Sequence, residues 1–148
     1  MGAASVSETI DVAGSPDRTW ALVGDFAGLV SWFPAVARSE VEGTGVGALR
    51  HLTLPDGASL TERQEFRDEK ARCYEYTAIA GVLPCEDYRS RIAVTPSGSG
   101  SRITWTATFT TSAGAPVDAE AFIREVYREG LASAKAKLEG GGTPGAVA

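Results

Sequence analysis

The chain has 148 residues, of which 43% are hydrophobic and 22% charged, an ordinary composition for one globular domain. The formal net charge of −5 argues against binding to nucleic acid or to an anionic membrane, because both require a basic surface. No apolar run approaches the roughly 20 residues of a membrane span, and the N terminus has neither the cationic nor the apolar segment of a signal peptide. We therefore expect a cytoplasmic protein.

Two cysteines and one histidine are too few for a usual zinc site, so we expect no metal. Cys73 and Cys85 are expected to be reduced thiols, as is usual in the cytoplasm, and a disulfide between them is the less favoured alternative.

The first part of the chain predicts one strand and two short helices. Apolar and polar residues alternate over residues 5–12, which is typical of a strand. Ser15 can cap a first helix that has Pro16 at its first position. Asp25 can cap a second helix over residues 25–33.

Strand patterns then continue to about residue 110. Alternating side chains predict six strands, over residues 36–42, 48–54, 60–66, 72–79, 86–94 and 102–109. The final element is a helix over residues 117–138, with apolar residues on one side and charged residues on the other. Residues 140–148 are predicted to form a flexible tail, and residues 1–139 a single domain.

One predicted hairpin carries two charges on its apolar face. Its turn at residues 55–57 ends in glycine, as is common in hairpins. Pairing Leu54 with Ala58 across this turn fixes the register, which places Arg50 opposite Glu62 with Cβ atoms about 5 Å apart. Because burying ions costs several kcal/mol each, this pair indicates a lined cavity rather than a dry core. Alternation places on the same face Ala48, Arg50, Leu52, Leu54, Leu60, Glu62, Gln64 and Phe66.

The order of elements is α+β: one strand, two short helices, six strands and one long helix. Seven antiparallel strands twist and therefore curl, and the long helix must lay its apolar face over the sheet. A curved sheet wrapped around one helix leaves space between the two, which is the geometry of a ligand pocket.

Several motifs along nearly the whole chain carry a resemblance to a known superfamily: Trp20, Asp25-Phe26, Trp32-Phe33-Pro34, the segment 45–50, Leu60-Thr61-Glu62-Arg63, Tyr74-Glu75-Tyr76, Asp87-Tyr88-Arg89-Ser90 and Trp105. Together with the element order they resemble the helix-grip fold of the START and Bet v 1-like (SRPBCC) superfamily, which includes bacterial polyketide cyclases and plant abscisic-acid receptors. In those receptors a glutamate, a tyrosine and a serine line the cavity, which the resemblance carries onto Glu62, Tyr88 and Ser90. The receptors' ligand-gripping lysine would fall near Ala35 or Val36, where this chain has none.

Three residues are nominated as catalytic. Glu62 would act as general base or acid, Arg50 would set its pKa and polarise a carbonyl, and Tyr88 would orient or protonate a substrate oxygen. Each also has a structural interpretation, since the ion pair would brace two strands and the buried phenol would bond within the core. The predicted ligand-binding residues are Tyr74, Tyr76, Ser90, Trp105, Trp32, Leu52, Leu60, Phe109, Phe122 and Val126.

Two functions remain open. The first is a cofactor-free enzyme of the polyketide cyclase/dehydrase type that acts on an uncharged, hydrophobic, oxygenated molecule; the bacterial members of the superfamily favour it. The second is a non-catalytic carrier or sensor, in which the loop at residues 81–84 and the turn at 54–57 close over the ligand. A homodimer is possible, but a domain kept only for dimerisation is the weaker third function, because it would give no reason for inward charges. His51 falls on the convex side, and no nucleophile or cofactor motif is present.

Overall fold

The computed structural model describes residues 2–81, 83–112 and 118–141. In these ranges one antiparallel sheet of seven strands has the order β1-β7-β6-β5-β4-β3-β2. The strands are β1 (Gly2–Val12), β2 (Arg38–Glu42), β3 (Leu49–Thr53), β4 (Ser59–Asp68), β5 (Cys73–Gly81), β6 (Glu86–Ser97) and β7 (Gly100–Thr111). Consecutive strands from β2 to β7 are neighbours, and β1 pairs with β7.

Two short helices follow β1, as the capping residues predict. In α1 (Pro16–Val23) the Ser15 side chain accepts a hydrogen bond from the backbone N–H of Arg18. The second element, Phe26–Ser31, is a 3₁₀ helix with Asp25 at its cap, shorter than the helix predicted over 25–33. Tight 3₁₀ turns are common in such short connectors.

The long helix α2 (Ala119–Ala136) lies across the concave face of the sheet and passes into a π-helical turn at Lys137–Gly141. Glu8 on β1 holds α2 against the sheet by ion pairs with Arg124 at 3.2 Å and with Arg128 at 3.1 Å. Gly130 allows a close approach, because a Cβ there would lie 2.8 Å from the Phe33 ring.

The predicted hairpin register is confirmed. The Leu54 N–H donates to the Ala58 carbonyl at 2.8 Å, and Arg50 pairs with Glu62 across β3 and β4. The face assignment of Phe66 is wrong. The register of β4 and β5 shifts between Gln64 and Phe66, and a bulge there reverses the alternation. Phe66 is therefore exposed.

Element ends differ from the predictions by a few residues. The strand predicted from residue 36 begins at Arg38, and β6 continues to Ser97, so the turn predicted over 96–100 contains only two residues. Gly98 takes a positive φ of 57° in that turn, which a tight hairpin requires. The predicted helix start at residue 117, and the tail beyond 141, lie outside the described residues, whereas Gly140 and Gly141 belong to the π-helical turn.

The aromatic and aliphatic side chains form one core between the sheet and the helices. Within the described ranges, no helix is long and apolar enough to cross a membrane.

Candidate ligand cavity

A cavity of about 390 Å³ lies between the concave face of the sheet and α2, within the size range of pockets that hold drug-sized molecules. The 3₁₀ helix and the segment after it close one side, and the β3–β4 turn reaches its rim. Its wall is formed by Leu29, Phe33, Ala35, Val36, Leu52, Leu54, Pro55, Asp56, Leu60, Glu62, Tyr76, Leu83, Tyr88, Trp105, Phe122, Ile123, Val126 and Tyr127.

Most of this wall is apolar, and the buried polar groups are a carboxylate and three phenols. Glu62, Tyr76, Tyr88 and Tyr127 all line the cavity and are all buried. Asp56 is exposed on the β3–β4 turn. An apolar pocket with a few convergent polar groups can fix the orientation of an oxygenated molecule.

Arg50 lies behind Glu62 and does not line the cavity. Its Nε donates to Oε1 of Glu62 at 2.7 Å, and its Nη1 donates to the Phe26 carbonyl and to the Tyr74 hydroxyl. The guanidinium carbon lies 4.2 Å from the centre of the Phe26 ring and 4.6 Å from that of Tyr76. These contacts hold a fully buried cation, although its Nη2 has no partner in the described part of the chain.

Only one oxygen of the Glu62 carboxylate is used. Oε1 accepts from Arg50, and among the described residues nothing bonds Oε2, so this oxygen is left for a ligand. Burial raises the pKa of Glu62 and outweighs the opposing effect of the Arg50 charge. A carboxyl group whose pKa lies above its ordinary value is a stronger base than a free one, and it can take a proton and return it.

The raised pKa makes the stability of the fold depend on pH. Between the ordinary value, 4.5, and the raised value, the folded protein holds a proton on Glu62 that the unfolded chain releases. Stability contributed by protonated Glu62 is therefore complete below that ordinary value and is lost as pH rises through the folded one. We expect the difference in free energy of unfolding, wild type minus Glu62→Gln, to fall from pH 4 to pH 8. Urea titrations measure this difference, and an increase with pH would mean that Arg50 outweighs burial.

The three phenols belong to a hydrogen-bonded cluster. Tyr127 on α2 contacts the hydroxyl groups of Tyr88 and of Ser90, the latter at 2.8 Å. Ser90 also donates to the Thr106 carbonyl at 2.9 Å. The indole N–H of Trp105 lies 3.0 Å from the Ser90 hydroxyl and 3.1 Å from that of Tyr76. Trp105 and Tyr127 stack face to face, with centroids 4.1 Å apart, and fix the cluster against α2.

The structure brings eight of the predicted site residues to the cavity wall: Glu62, Tyr88, Tyr76, Trp105, Leu52, Leu60, Phe122 and Val126. It places five others in the packed layer around that wall: Arg50, Tyr74, Ser90, Trp32 and Phe109. Strand alternation tells which face a side chain takes but not whether another side chain covers it, and this is why the sequence alone did not separate these five from the residues that line the cavity.

Sequence reasoning missed Tyr127, which joins α2 to the polar cluster. The signal was available: Tyr127 follows Ile123 by four residues, and both flank the predicted pair Phe122 and Val126 on the apolar face of α2. Leu54 and Leu83 confirm that the β3–β4 turn and the β5–β6 loop reach the cavity, although Val82 lies outside the described residues.

The other chemistry-bearing residues lie elsewhere. Cys73 and Cys85 are both free thiols. His51 is on the convex side, where it contacts Thr61 and Glu42. Within the described ranges, no cluster of His, Cys, Asp and Glu could hold a metal ion.

The curved seven-stranded sheet, the helix that lies across it and the cavity between them define a helix-grip protein of the START and Bet v 1-like superfamily, a hydrophobic ligand-binding fold. Residues 3–139 match the sequence profile of one family in it, described as polyketide cyclase/dehydrase and lipid transport. The chain belongs to this family.

Solved structures agree with this assignment. The protein XoxI from Bacillus cereus is 30% identical, with a TM-score of 0.84 over 91% of this chain and 95% of its own. Ara h 8.0201 is 20% identical, with a TM-score of 0.76 over 93% and 98%. Norcoclaurine synthase from Thalictrum flavum, solved with dopamine and hydroxybenzaldehyde, is 23% identical, with a TM-score of 0.74 over 93% and 86%. The last two share the fold. A search of curated protein sequences found no significant match.

Proposed function

We propose that this protein binds an uncharged, hydrophobic, oxygenated small molecule in its cavity and transfers protons on it without a cofactor, as a cyclase or dehydrase does. The observation that supports this most is Glu62, a buried carboxylate with one unused oxygen in the wall of a mostly apolar cavity. The neutral phenols beside it supply hydrogen bonds for an oxygen atom of the substrate.

The proposed chemistry begins at a carbon next to a carbonyl group. Glu62 takes a proton from this carbon, the C–H electron pair forms an enolate, and a phenolic O–H stabilises the enolate oxygen. In a dehydration the protonated Glu62 then gives its proton to a β-hydroxyl group, which leaves as water as the double bond forms. In a cyclisation the enolate carbon attacks a second carbonyl of the same molecule, and Glu62 protonates the new alkoxide. The cavity contributes by holding the reacting atoms in place.

One observation favours a carrier instead. The hydroxyl groups of Tyr88, Tyr127 and Ser90 already bond to one another, and Arg50 is covered by Glu62 and two aromatic rings. Such a cluster can orient a ligand without reacting with it.

Proton exchange on a simple ketone separates the two functions. 2-Tetralone carries acidic protons next to its carbonyl, and their replacement by deuterium in D₂O can be followed by proton NMR. We expect the wild type to accelerate this exchange above the protein-free rate, and calorimetry to show binding.

The variant Val126→Trp fills the cavity and should lose both binding and exchange, whereas Glu129→Trp adds the same ring to the exposed side of α2 and should lose neither. Binding without accelerated exchange would support the carrier. Exchange that survives in Val126→Trp would place the chemistry outside the cavity and contradict the proposal.

A further inference from the structure

The hydroxyl groups of Ser90, Tyr127 and Tyr88 form a chain of hydrogen bonds. Only one donor-to-acceptor order along this chain places a hydrogen in every oxygen–oxygen contact. There are three such short contacts: Ser90 with the Thr106 carbonyl, Ser90 with Tyr127, and Tyr127 with Tyr88. Three hydroxyl protons are present to fill them, one each from Ser90, Tyr127 and Tyr88. Burial raises the pKa of Tyr88 and of Tyr127 well above the ordinary value, so both phenols keep their protons.

The Thr106 carbonyl fixes the direction, because a carbonyl oxygen has no proton to donate. Ser90 must therefore donate to Thr106, which leaves Ser90 to accept from Tyr127. Tyr127 then has to accept from Tyr88. In the opposite direction Ser90 and Thr106 would face each other at 2.9 Å with lone pairs only, which is repulsive.

Tyr76 differs from Tyr88, because its proton is not used in this chain of hydrogen bonds. Its oxygen accepts from the indole N–H of Trp105 at 3.1 Å. Among the described residues its own proton has the Tyr88 hydroxyl beside it but no acceptor with full hydrogen-bond geometry, so a ligand oxygen can take it. Burial keeps this phenol neutral as well, since its pKa is raised well above the ordinary value. Tyr76 and Tyr88 are neighbours, with ring centroids 6.2 Å apart, and both line the cavity.

We propose that the polar end of the cavity is directional: Tyr88 can only accept a hydrogen bond from the ligand, and Tyr76 is the phenol whose proton can be donated to it. The ligand class is then a hydroxyketone or an enol of a diketone, with its O–H toward Tyr88 and its carbonyl oxygen toward Tyr76. This inference rests on the proposed function, and it assigns the oxyanion-stabilising donor to Tyr76, whereas the sequence nominated Tyr88 or Arg50.

Two probes of similar size separate the roles. Indole carries only a donor, its N–H, and 1-indanone carries only an acceptor, its carbonyl. In titration calorimetry we expect Tyr88→Phe to lower the affinity for indole by about three- to tenfold and to leave the affinity for 1-indanone unchanged. Tyr76→Phe should do the reverse. Equal losses of both probes in both variants would overturn the directional assignment.

Ser90→Ala is expected to raise the affinity for 1-indanone, which the loss of a purely structural side chain would not do. Without Ser90, the protons of Tyr127 and Tyr88 have only the single contact between them to fill, so one of these phenols is free to donate into the cavity. We expect 1-indanone to bind about three- to tenfold more tightly to this variant. Tyr127→Phe should give the same gain, because Tyr88 then loses its acceptor.

The matched control is Ser101→Ala, which removes an equally buried serine that bonds Gly14 and Thr19 away from the cavity. This variant should leave the affinities for indole and for 1-indanone unchanged. If both probes bind and Ser90→Ala behaves like Ser101→Ala, the directional inference is wrong while the binding function stands. If neither probe binds the wild type, the binding function fails, and the directional inference fails with it.

Discussion

Glu62→Gln is expected to lower the protein-catalysed deuterium exchange of 2-tetralone by about 10²- to 10⁴-fold, the usual contribution of a positioned general base. Glutamine has nearly the same shape, and its carbonyl oxygen can still accept from the Nε of Arg50, so the cavity keeps its form. An amide cannot take the proton. Proton NMR in D₂O gives the rate, and calorimetry with 2-tetralone should show affinity within a few-fold of the wild type.

Glu65→Gln is the matched control. Glu65 lies on the same strand, where it accepts from Arg63 and Thr77 outside the cavity. Its replacement should leave the exchange rate unchanged. Full exchange in Glu62→Gln, with circular dichroism like that of the wild type, would remove Glu62 from the mechanism and leave the carrier function as the better account.

Arg50→Met is expected to lower the free energy of unfolding by about 3–5 kcal/mol at pH 7, because Glu62 must then either stay charged without its partner or take up a proton. Arg50 is fully buried, and the 7% exposure of the Glu62 side chain offers little compensating hydration. Urea denaturation monitored by circular dichroism measures the loss. The loss should shrink at acidic pH, where Glu62 is neutral.

Two further variants make this result specific to burial. The double variant Arg50→Met/Glu62→Leu removes both charges and should recover most of the lost stability, since an apolar pair of similar volume is often as stable as a buried ion pair. Arg38→Met breaks an ion pair with Glu40 whose side chains are about 70% exposed, and it should cost less than about 1 kcal/mol. A loss below about 1 kcal/mol in Arg50→Met would show that the buried pair does not hold β3 and β4 together.

The sequence predicted the hairpin and its charged pair because a three-residue turn and strict alternation leave one register for Arg50 and Glu62. It could not predict the bulge after Gln64, since a bulge follows from the twist of paired strands and not from any local pattern; the exposure of Phe66 is the result. Nor could it predict that Arg50 is covered. Whether a guanidinium reaches a cavity depends on which aromatic rings lie over it, here Phe26 and Tyr76.

The pKa of Glu62 was open for a related reason. A neighbouring cation and burial shift a carboxyl group in opposite directions, and their balance depends on the degree of enclosure, which needs the whole fold. The polar cluster was only partly predictable. Tyr88 and Ser90 lie on one strand, and alternation predicts that they share a face. Tyr127 lies on α2, so its contact with them depends on how the helix packs on the sheet.

The burial of the cavity wall is graded from one end to the other. Glu62, Tyr88 and Tyr127 are almost inaccessible, whereas Phe122 on α2 is 46% exposed and the Pro55–Asp56 turn lies at the surface. A ligand would therefore bind with its oxygenated end at the buried end of the cavity and its opposite end at the entrance. Selectivity would then be strict for the oxygenated end and weak for the other end, so related molecules that are longer or bulkier there would share one binding mode.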